Sequence, residues 1–510
     1  MVSCSSRFGK EKEAKLTPNW VRDAVFYQIF PDRLSRGERP VEVGRFQNWD
    51  DRPNFFGFKG GTLWGVIDEL PRLEDMGFNA LYFTPIFSSP ANHRYHTHDY
   101  LQVDPILGGN EAFDALLEAA HKKNFKVVLD GVFNHTGRSF FAFGHIMENG
   151  LESPYLDWYE INKDFLQRTG TLNAYPGHVQ EKSVKGFDSF GYNAWWDLPA
   201  LPKLNVHNAE VREFLLKVAE HWVRKGIDGW RLDVPTEITA QGFWEEFRTR
   251  VKAINPNCYI VGEIWYPAPE YLRGDRFDGL MNYPLGTAAM AFFLRKLDRP
   301  LASRSAFRGF PEVQNARLFI DEVKRVLEYA GEDVMFSQLN LFTSHDTPRL
   351  QDLGSFEIQD CLQAFVFLMS VPGAPCVYYG EEYALHGGHD PLCRGTIPTE
   401  LKETPPPFYA SIRSLIRLRQ EVAALRNGSI VFVHPEDWPD KAFYFDRVCD
   451  SGCARVFINA SSTPIVLEDT FVNGFHKMHL INGIKFTTLP STELAGMVVP
   501  SHASAIITGQ

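Results

Sequence analysis

A (β/α)8 TIM barrel, interrupted after its third strand and followed by a C-terminal antiparallel β-sandwich, is the fold this sequence predicts, on three observations. Short apolar runs alternate with amphipathic helical stretches from about residue 24 to residue 424, giving about eight strand–helix units. Four of those runs finish in acid, histidine or arginine, as strands of a parallel barrel do where their C-termini line an active site. Past about residue 425 the pattern changes to short β-rich segments separated by turns: SIVFVH, KAFYFD, ARVFIN, TPIVLE, KMHLIN, GMVVP and AIITG.

The elements follow in order. Residues 1–20 read as a polar leader before the first strand, Ala24–Phe30. Phe55–Gly61 is a Gly/aromatic loop, Leu63–Met76 has helical periodicity up to Gly77, and Ala80–Phe87 is the second strand. Glu111–Lys123 is an amphipathic helix before the third strand, 126–133. Asn208–Lys225 is the next helix, with Val211, Phe214, Leu215, Val218 and Trp222 on one face, and it leads through Gly226 into the fourth strand, GWRLDV. Helices at Gln241–Val251, Val313–Tyr329, Ile358–Met369 and Phe408–Val422 alternate with strands at 259–265, 279–284, 339–344 and 375–380. The helix after the fifth strand is weak. Thr136–His207 is too long for a plain loop and rich in aromatics and Gly, so it predicts an inserted subdomain over the third strand's end. The barrel thus comprises 21–135 and 208–424, the insertion 136–207, and the C-terminal β-domain 425–510.

Composition bounds the function. A net charge of −11 argues against a nucleic-acid surface, and no basic run or long apolar stretch suggests a membrane. The leader lacks the apolar core of a secretory signal. Cys4, Cys258, Cys361, Cys376, Cys393, Cys449 and Cys453 are scattered without a metal-like spacing, and Cys449/Cys453 read as free thiols. A reducing, cytoplasmic setting is the expectation. The sequence leaves the oligomeric state open.

The chemistry is carried by the strand ends. In GWRLDV, Arg231 and Asp233 share one face of a strand and Trp230 and Leu232 the other. Two charges on a buried strand are costly unless paired. YIVGEIW brings Glu263 to the end of another strand, LNLFTSHD brings His345 and Asp346, and KVVLDGVFNH brings Asn134 and His135. Cleavage of a glycosidic bond with retention needs one carboxylate nucleophile and one protonated carboxyl roughly 5–5.5 Å away. Arg231 should favour ionised Asp233, whereas Glu263, with no basic neighbour in sequence and two anions opposite, should keep its proton. Asp346 would stabilise an oxocarbenium-like state. A metal hydrolase would use a similar set of acids and histidines, but the rim segments hold only one His-x-His, His96-Thr97-His98, which reads as a turn.

The chain resembles the α-amylase family of glycoside hydrolases. DGVFNH (130–135), GWRLDVPTE (229–237), GEIW (262–265) and FTSHD (342–346) are similar to its four short sequence regions, in order. LPKLN (201–205) and NHRYHTHDY (92–100) resemble segments of the neopullulanase, cyclomaltodextrinase and maltogenic-amylase group. The resemblance implies Asp233 as nucleophile, Glu263 as acid/base and Asp346 as transition-state stabiliser. It implies Tyr95, His93, His135, Arg231 and His345 around the reacting sugar, Asp390 and Arg394 on the next sugar inward, Trp265 on the leaving-group side, and Glu237 as a further substrate-binding residue. Trp195 and Trp196 read equally well as core or as sugar platforms.

The implied activity is retaining hydrolysis of α-1,4-glucosidic bonds in malto-oligosaccharides, cyclodextrins or starch- and glycogen-type glucans, with some α-1,6 cleavage or transglycosylation. A glucanotransferase or isomerising relative, and a catalytically silent binding or chaperone-like subunit, are the alternatives; the second would usually have lost a catalytic carboxylate, and all three remain. No N-terminal β-domain of the neopullulanase type precedes the first strand, which predicts a more open cleft and easy entry of long glucans. Pro235 and Thr236 stand where Ala-Asn is common. No cofactor is expected: Glu237 stands where secreted α-amylases have a calcium-ligating His, and SRGERPVEV is poor in ligands, although Asn134 keeps Ca2+ conceivable.

Overall fold

A computed structural model describes residues 17–39, 44–176, 186–304, 307, 309–329, 331–490 and 496–509. Most of the polar leader, and part of the SRGERPVEV loop, lie outside these. Eight parallel strands form the barrel: β1 (Phe26–Ile29), β2 (Ala80–Phe83), β3 (Lys126–Gly131), β4 (Gly229–Leu232), β5 (Tyr259–Gly262), β6 (Gly279–Leu280), β7 (Leu339–Asn340) and β8 (Ala374–Tyr378). Their order is β6-β5-β4-β3-β2-β1-β8-β7, and a parallel bridge between Met281 and Leu339 closes the ring. The enclosing helices are α1 (Leu63–Met76), α2 (Gly109–Lys122), α3 (Ala209–Lys225), α4 (Phe243–Ile254), α5 (Tyr283–Phe293), α6 (Ala316–Glu328), α7 (Ile358–Ser370) and α8 (Pro407–Glu421). Local chemistry sets the helix ends: the Thr62 hydroxyl accepts from Gly65 N at 2.9 Å, and Gly77, at φ 95°, takes the left-handed C-cap that a side chain would resist.

The strands are shorter than the sequence predicts, for identifiable reasons. Pro85 has no N–H to donate, so β2 stops at Phe83, and Phe87–Ser88 turns away to pair with Asp99–Val103. The expected strand at 279–284 covers only Gly279–Leu280, because Tyr283 and Pro284 open α5. That helix is buried on nearly every side, so its sequence shows no amphipathic stripe. Between β5 and β6 only a single turn, Pro269–Tyr271, stands where the helical pattern was weak.

Between β3 and α3 the inserted segment folds back on the rim. His135 pairs with Lys203, Tyr159 with Leu204 and Ala194 with Pro202, and Leu204 N donates to Asn134 O at 3.0 Å. LPKLN therefore runs along the extension of β3.

The C-terminal strands are β9 (Ser429–Val433), β10 (Ala442–Cys449), β11 (Gly452–Asn459), β12 (Ile465–Val466), β13 (Lys477–Asn482), β14 (Lys485–Pro490), β15 (Val498–Val499) and β16 (Ala503–Gly509). Six form one antiparallel sheet, ordered β9-β10-β11-β16-β13-β14, and β12 pairs with β15 as a ribbon. The strand β14 is additional to the sequence reading, although the Asn482-Gly483 turn that makes its hairpin is visible there. Rings of Phe443 and Phe445 pack on Phe292, Phe319 and Phe367 of the barrel helices. Buried Arg447 donates to the carbonyls of Ser370, Leu425 and Gly428, and buried Arg419 to those of Met369, Val371, Gly373 and Leu425. These cations sit at the negative end of α7.

Just past β8, the fully buried Glu381 carboxyl accepts from the Thr343 hydroxyl at 2.8 Å and stands 3.7 Å from Arg349. Burial outweighs the guanidinium and pushes its pKa up to about 7. The folded protein then holds a proton that the unfolded chain releases above the ordinary glutamate range, so this group costs stability as pH rises from about 4.5 to about 7. Glu381→Gln should remove that slope. The melting temperature of the variant relative to the parent is expected to climb between pH 5 and pH 7.5, by the equivalent of about 2 kcal/mol; parallel melting profiles across this range would refute the assignment.

Candidate active site

The rim is organised by Arg231, fully buried on β4 and facing into the barrel. The β3–β4 register places Asp130 opposite Arg231, so both side chains share the interior face. Arg231 Nη1 donates to both Asp130 oxygens, at 2.9 and 3.0 Å, and to Asp233 Oδ1 at 2.9 Å. Its Nη2 lies 2.9 Å from Glu263 Oε2, and Nε 3.4 Å from the Met281 sulfur. One guanidinium thus serves three carboxyl groups from three consecutive strands.

Asp233 and Glu263 sit one residue past their strands, their N–H groups bonded to the carbonyls of Gly131 and Leu232. After Asp233 the chain turns through Val234, at φ 36° and ψ 51°, a left-handed conformation costly for a β-branched residue. The turn aims Val234 N at Glu263 Oε2, 3.1 Å away. Trp265 donates to the other oxygen, Oε1, at 3.2 Å, and its indole lies flat on Tyr283 with centroids 3.5 Å apart.

Of the division of protons expected from sequence, the raised Glu263 stands, whereas the pairing of Arg231 with Asp233 alone does not. Arg231 is no private partner of Asp233, since it also touches Glu263. Burial, joined by the charges of Glu263 and Asp130, outweighs Arg231 and raises the Asp233 pKa well above the carboxylate range. Burial likewise raises Glu263, with Arg231 opposing and Asp346 adding to the rise. Three acids and one guanidinium in a dry site titrate together, and charge balance favours a shared proton. Asp346 differs: its burial is overcome by contact with His345 and by the guanidiniums of Arg394, which also hydrogen-bonds it, and Arg231, and it stays below the usual range.

Asp346 accepts from Arg394 Nη2 at 3.2 Å and lies 3.1 Å from His345 Nε2. Arg394 also pairs with Asp390, at 2.9 Å. Tyr95 joins the two halves of the rim: its hydroxyl is 2.6 Å from His345 Nε2 and donates to Asp130 Oδ2 at 2.9 Å, while its ring stacks on His345. His93 packs beside Tyr95 and accepts from Tyr95 N at 3.2 Å. Burial pushes His345 and His135 each down to about 3, and His93 well below its ordinary value, so all three imidazoles are neutral. Nε2 of His135 has no hydrogen-bond partner and its ring stacks on Trp195. Trp195 in turn stacks on Trp196, 4.8 Å apart and 2° from parallel, and Trp196 is 76% exposed at φ 52°.

Glu237 is half-exposed, its carboxylate 4.0 Å from Lys203 Nζ. The rim therefore gathers Asp233, Glu263, Asp346, Arg231, Tyr95, His93, His345, Asp390, Arg394 and Trp265 in one contact network; His135 and Glu237 lie at its border with the inserted segment. The histidines of His96-Thr97-His98 diverge: His98 bonds Ser88 at 3.0 Å, whereas His96 packs against His93. Sequence reasoning missed Asp130 and Gln28. Both are polar residues in otherwise apolar strands, VVLDG and FYQI, and the cost of burying them was the signal.

Residues 28–405 match the alpha amylase catalytic domain. Over 481 residues, 93% of this chain and 75% of the relative, the sequence is 39% identical to a cyclomaltodextrinase of Geobacillus thermopakistaniensis. A crystal structure from Thermus thermophilus superposes with a TM-score of 0.84 at 42% identity, covering 96% of this chain and all of that one. The debranching enzyme of Nostoc punctiforme gives 0.82 at 38% identity, with 97% and 99% covered.

No group of three or more His, Cys, Asp or Glu among the described residues is arranged to hold a metal ion. Asn134, Glu160, Lys203 and Glu237 line a small cavity, in which the Lys203 ammonium stands 4.0 Å from the Glu237 carboxylate. In the first loop the Lys59 ammonium is bound by the carbonyls of Asn48 and Asp51, at 2.6 and 2.5 Å. Exhaustive chelation is accordingly expected to leave melting temperature and turnover unchanged; a loss of either that calcium restores would overturn this reading of the lysines.

Proposed function

The chain belongs to the alpha-amylase family of glycoside hydrolases, and from that premise we propose that it cleaves α-1,4-glucosidic bonds of malto-oligosaccharides and larger glucans with retention, α-1,6 bonds included. The observation that carries the reading is the convergence of Asp233, Glu263 and Asp346 on neighbouring charged groups at the barrel rim. The Geobacillus relative is named a cyclomaltodextrinase and the Nostoc one a debranching enzyme, which supports both ring and branched substrates.

In the proposed mechanism Glu263 carries the shared proton and Asp233 is ionised. Asp233 attacks the anomeric carbon while Glu263 protonates the departing glycosidic oxygen, so that a glycosyl–enzyme ester forms and the chain bearing the new non-reducing end leaves. Glu263, now ionised, takes a proton from water, whose oxygen displaces Asp233 and regenerates both groups. Arg231 holds the Asp233 carboxylate before attack and again once the ester is hydrolysed. Asp346, the one acid held firmly ionised, faces the positive charge that develops on the sugar ring. The neutral imidazole of His135 presents its unpartnered Nε2 to a hydroxyl, and that of His345 adds no competing positive charge.

Leading outward from His135, Trp195 and Trp196 offer apolar ring faces to a glucosyl residue beyond the reacting one.

Asp233→Ala should fold as the parent does and lose roughly 10³-fold or more in turnover on maltotriose, because a covalent step is removed; substantial activity in a folded variant would sink the assignment. Amylose, pullulan and β-cyclodextrin, followed by chromatography of products, would establish the bond types cleaved. The platform has its own check. Trp196→Ala is expected to lower kcat/KM on maltohexaose and longer chains by about fivefold, the worth of one stacked ring, and to spare maltotriose. An equal loss on every chain length would refute the platform.

A further inference from the structure

Gln28 lies on β1, completely buried in the strand FYQI, where every neighbour in the sequence is apolar. A buried amide among such neighbours is costly unless its polar groups are used. One is: Gln28 Nε2 stands 3.0 Å from His345 Nδ1, while its Oε1 has no hydrogen-bond partner. The other ring nitrogen of His345, Nε2, faces Tyr95 Oη at 2.6 Å and Asp346 Oδ2 at 3.1 Å.

Elimination fixes the protons. His345 is neutral and therefore carries one N–H. Asp346 is ionised and can only accept, so the nitrogen facing it, Nε2, must hold that hydrogen. Nδ1 is then a bare lone pair that needs a donor, and the Gln28 amide nitrogen is in place to supply it. The opposite tautomer would set a lone pair of Nε2 against the Asp346 carboxylate. It would also claim the Tyr95 proton, which Asp130 already receives at 2.9 Å.

We propose that Gln28 is a positioning residue that locks His345 in the Nε2–H tautomer, and that this lock holds Tyr95 and Asp346 in their working orientation. The proposal rests on the glycosidase reading above. Around the ring stand Asp346, Arg394, whose Nε bonds the His345 carbonyl at 2.8 Å, the Cys393 thiol on the same carbonyl, Tyr95, His93 and Arg231. None of these faces Nδ1 as a donor.

A carboxyl group in place of the amide separates this role from packing. Protonated, the carboxyl of Gln28→Glu has an O–H that donates to Nδ1 as the amide does. Ionised, it only accepts, and so draws a hydrogen onto Nδ1. Either the Nε2 hydrogen is then lost, or a second proton makes an imidazolium beside the position where the sugar becomes positive. Turnover of Gln28→Glu on maltotriose should therefore be close to the parent's at low pH and fall roughly 10- to 100-fold as the introduced group ionises. Gln28→Leu should be impaired by a similar factor at every pH.

A parent-like pH profile in Gln28→Glu, or a loss that merely tracks melting temperature, would overturn the proposal. The ¹⁵N shifts of labelled His345 give a second readout, independent of turnover: Nε2–H with bare Nδ1 in the parent, changed in Gln28→Glu above that ionisation. Parent protein that shows this tautomer but no glycosidase activity would refute the functional reading and leave the lock standing. An Nδ1–H tautomer in an active parent would do the reverse.

Discussion

One buried guanidinium governs this molecule. Arg231 is sealed from water and binds Asp130, Asp233 and Glu263 at once. Removing such a cation would leave three acids in a dry pocket, where they could exist only by taking up protons. Its presence lets part of the negative charge survive, while the excess of acids over the cation keeps a proton in the cluster. The same arrangement that makes the rim costly to fold thus supplies both a nucleophile and a proton donor. Only adjacent strands in register could bring the groups this close, and the pairing of Asp130 with Arg231 is a direct result of the β3–β4 alignment.

Around this centre the polar groups are bound in series. Gln28 reaches His345, His345 reaches Tyr95 and Asp346, and Tyr95 closes on Asp130. The chain links strands β1 and β3 with the loops after β2 and β7, so the site's geometry is tied to the barrel's own closure. Val234 shows what this costs. Its left-handed backbone is strained, yet it delivers an N–H to Glu263 that an extended residue would send elsewhere.

Much of this was legible in the chain. Arg231 and Asp233 announced themselves as charges on a buried strand, and the periodicity of Leu63–Met76 or Ala209–Lys225 marked helices to within a residue or two. Less visible were features set by tertiary contact. The helix Tyr283–Phe293 is covered by neighbours all round and carries no polar stripe, so its start read as a strand. Arg231 binds Glu263 across a strand boundary, a relation that distance along the sequence hides, so the expectation that Arg231 serves Asp233 alone failed on it. Asp130 and Gln28 were in plain view. Each was a polar residue inside an apolar run, passed over because the chemistry was sought only at the strand tips.

The grip of Arg447 on the end of α7 bears on how the protein is made. The carbonyl of Ser370 that it caps belongs to the helix leading into β8, while the arginine arrives 77 residues later in the chain. A chain synthesised only through the barrel already holds Arg419 on this helix end, but its aromatic flank, Phe292, Phe319 and Phe367, lacks Phe443 and Phe445 until β10 follows. Barrel and C-terminal sheet thus share one aromatic core, and the barrel's flank is covered in full only once residues 443–447 are in place.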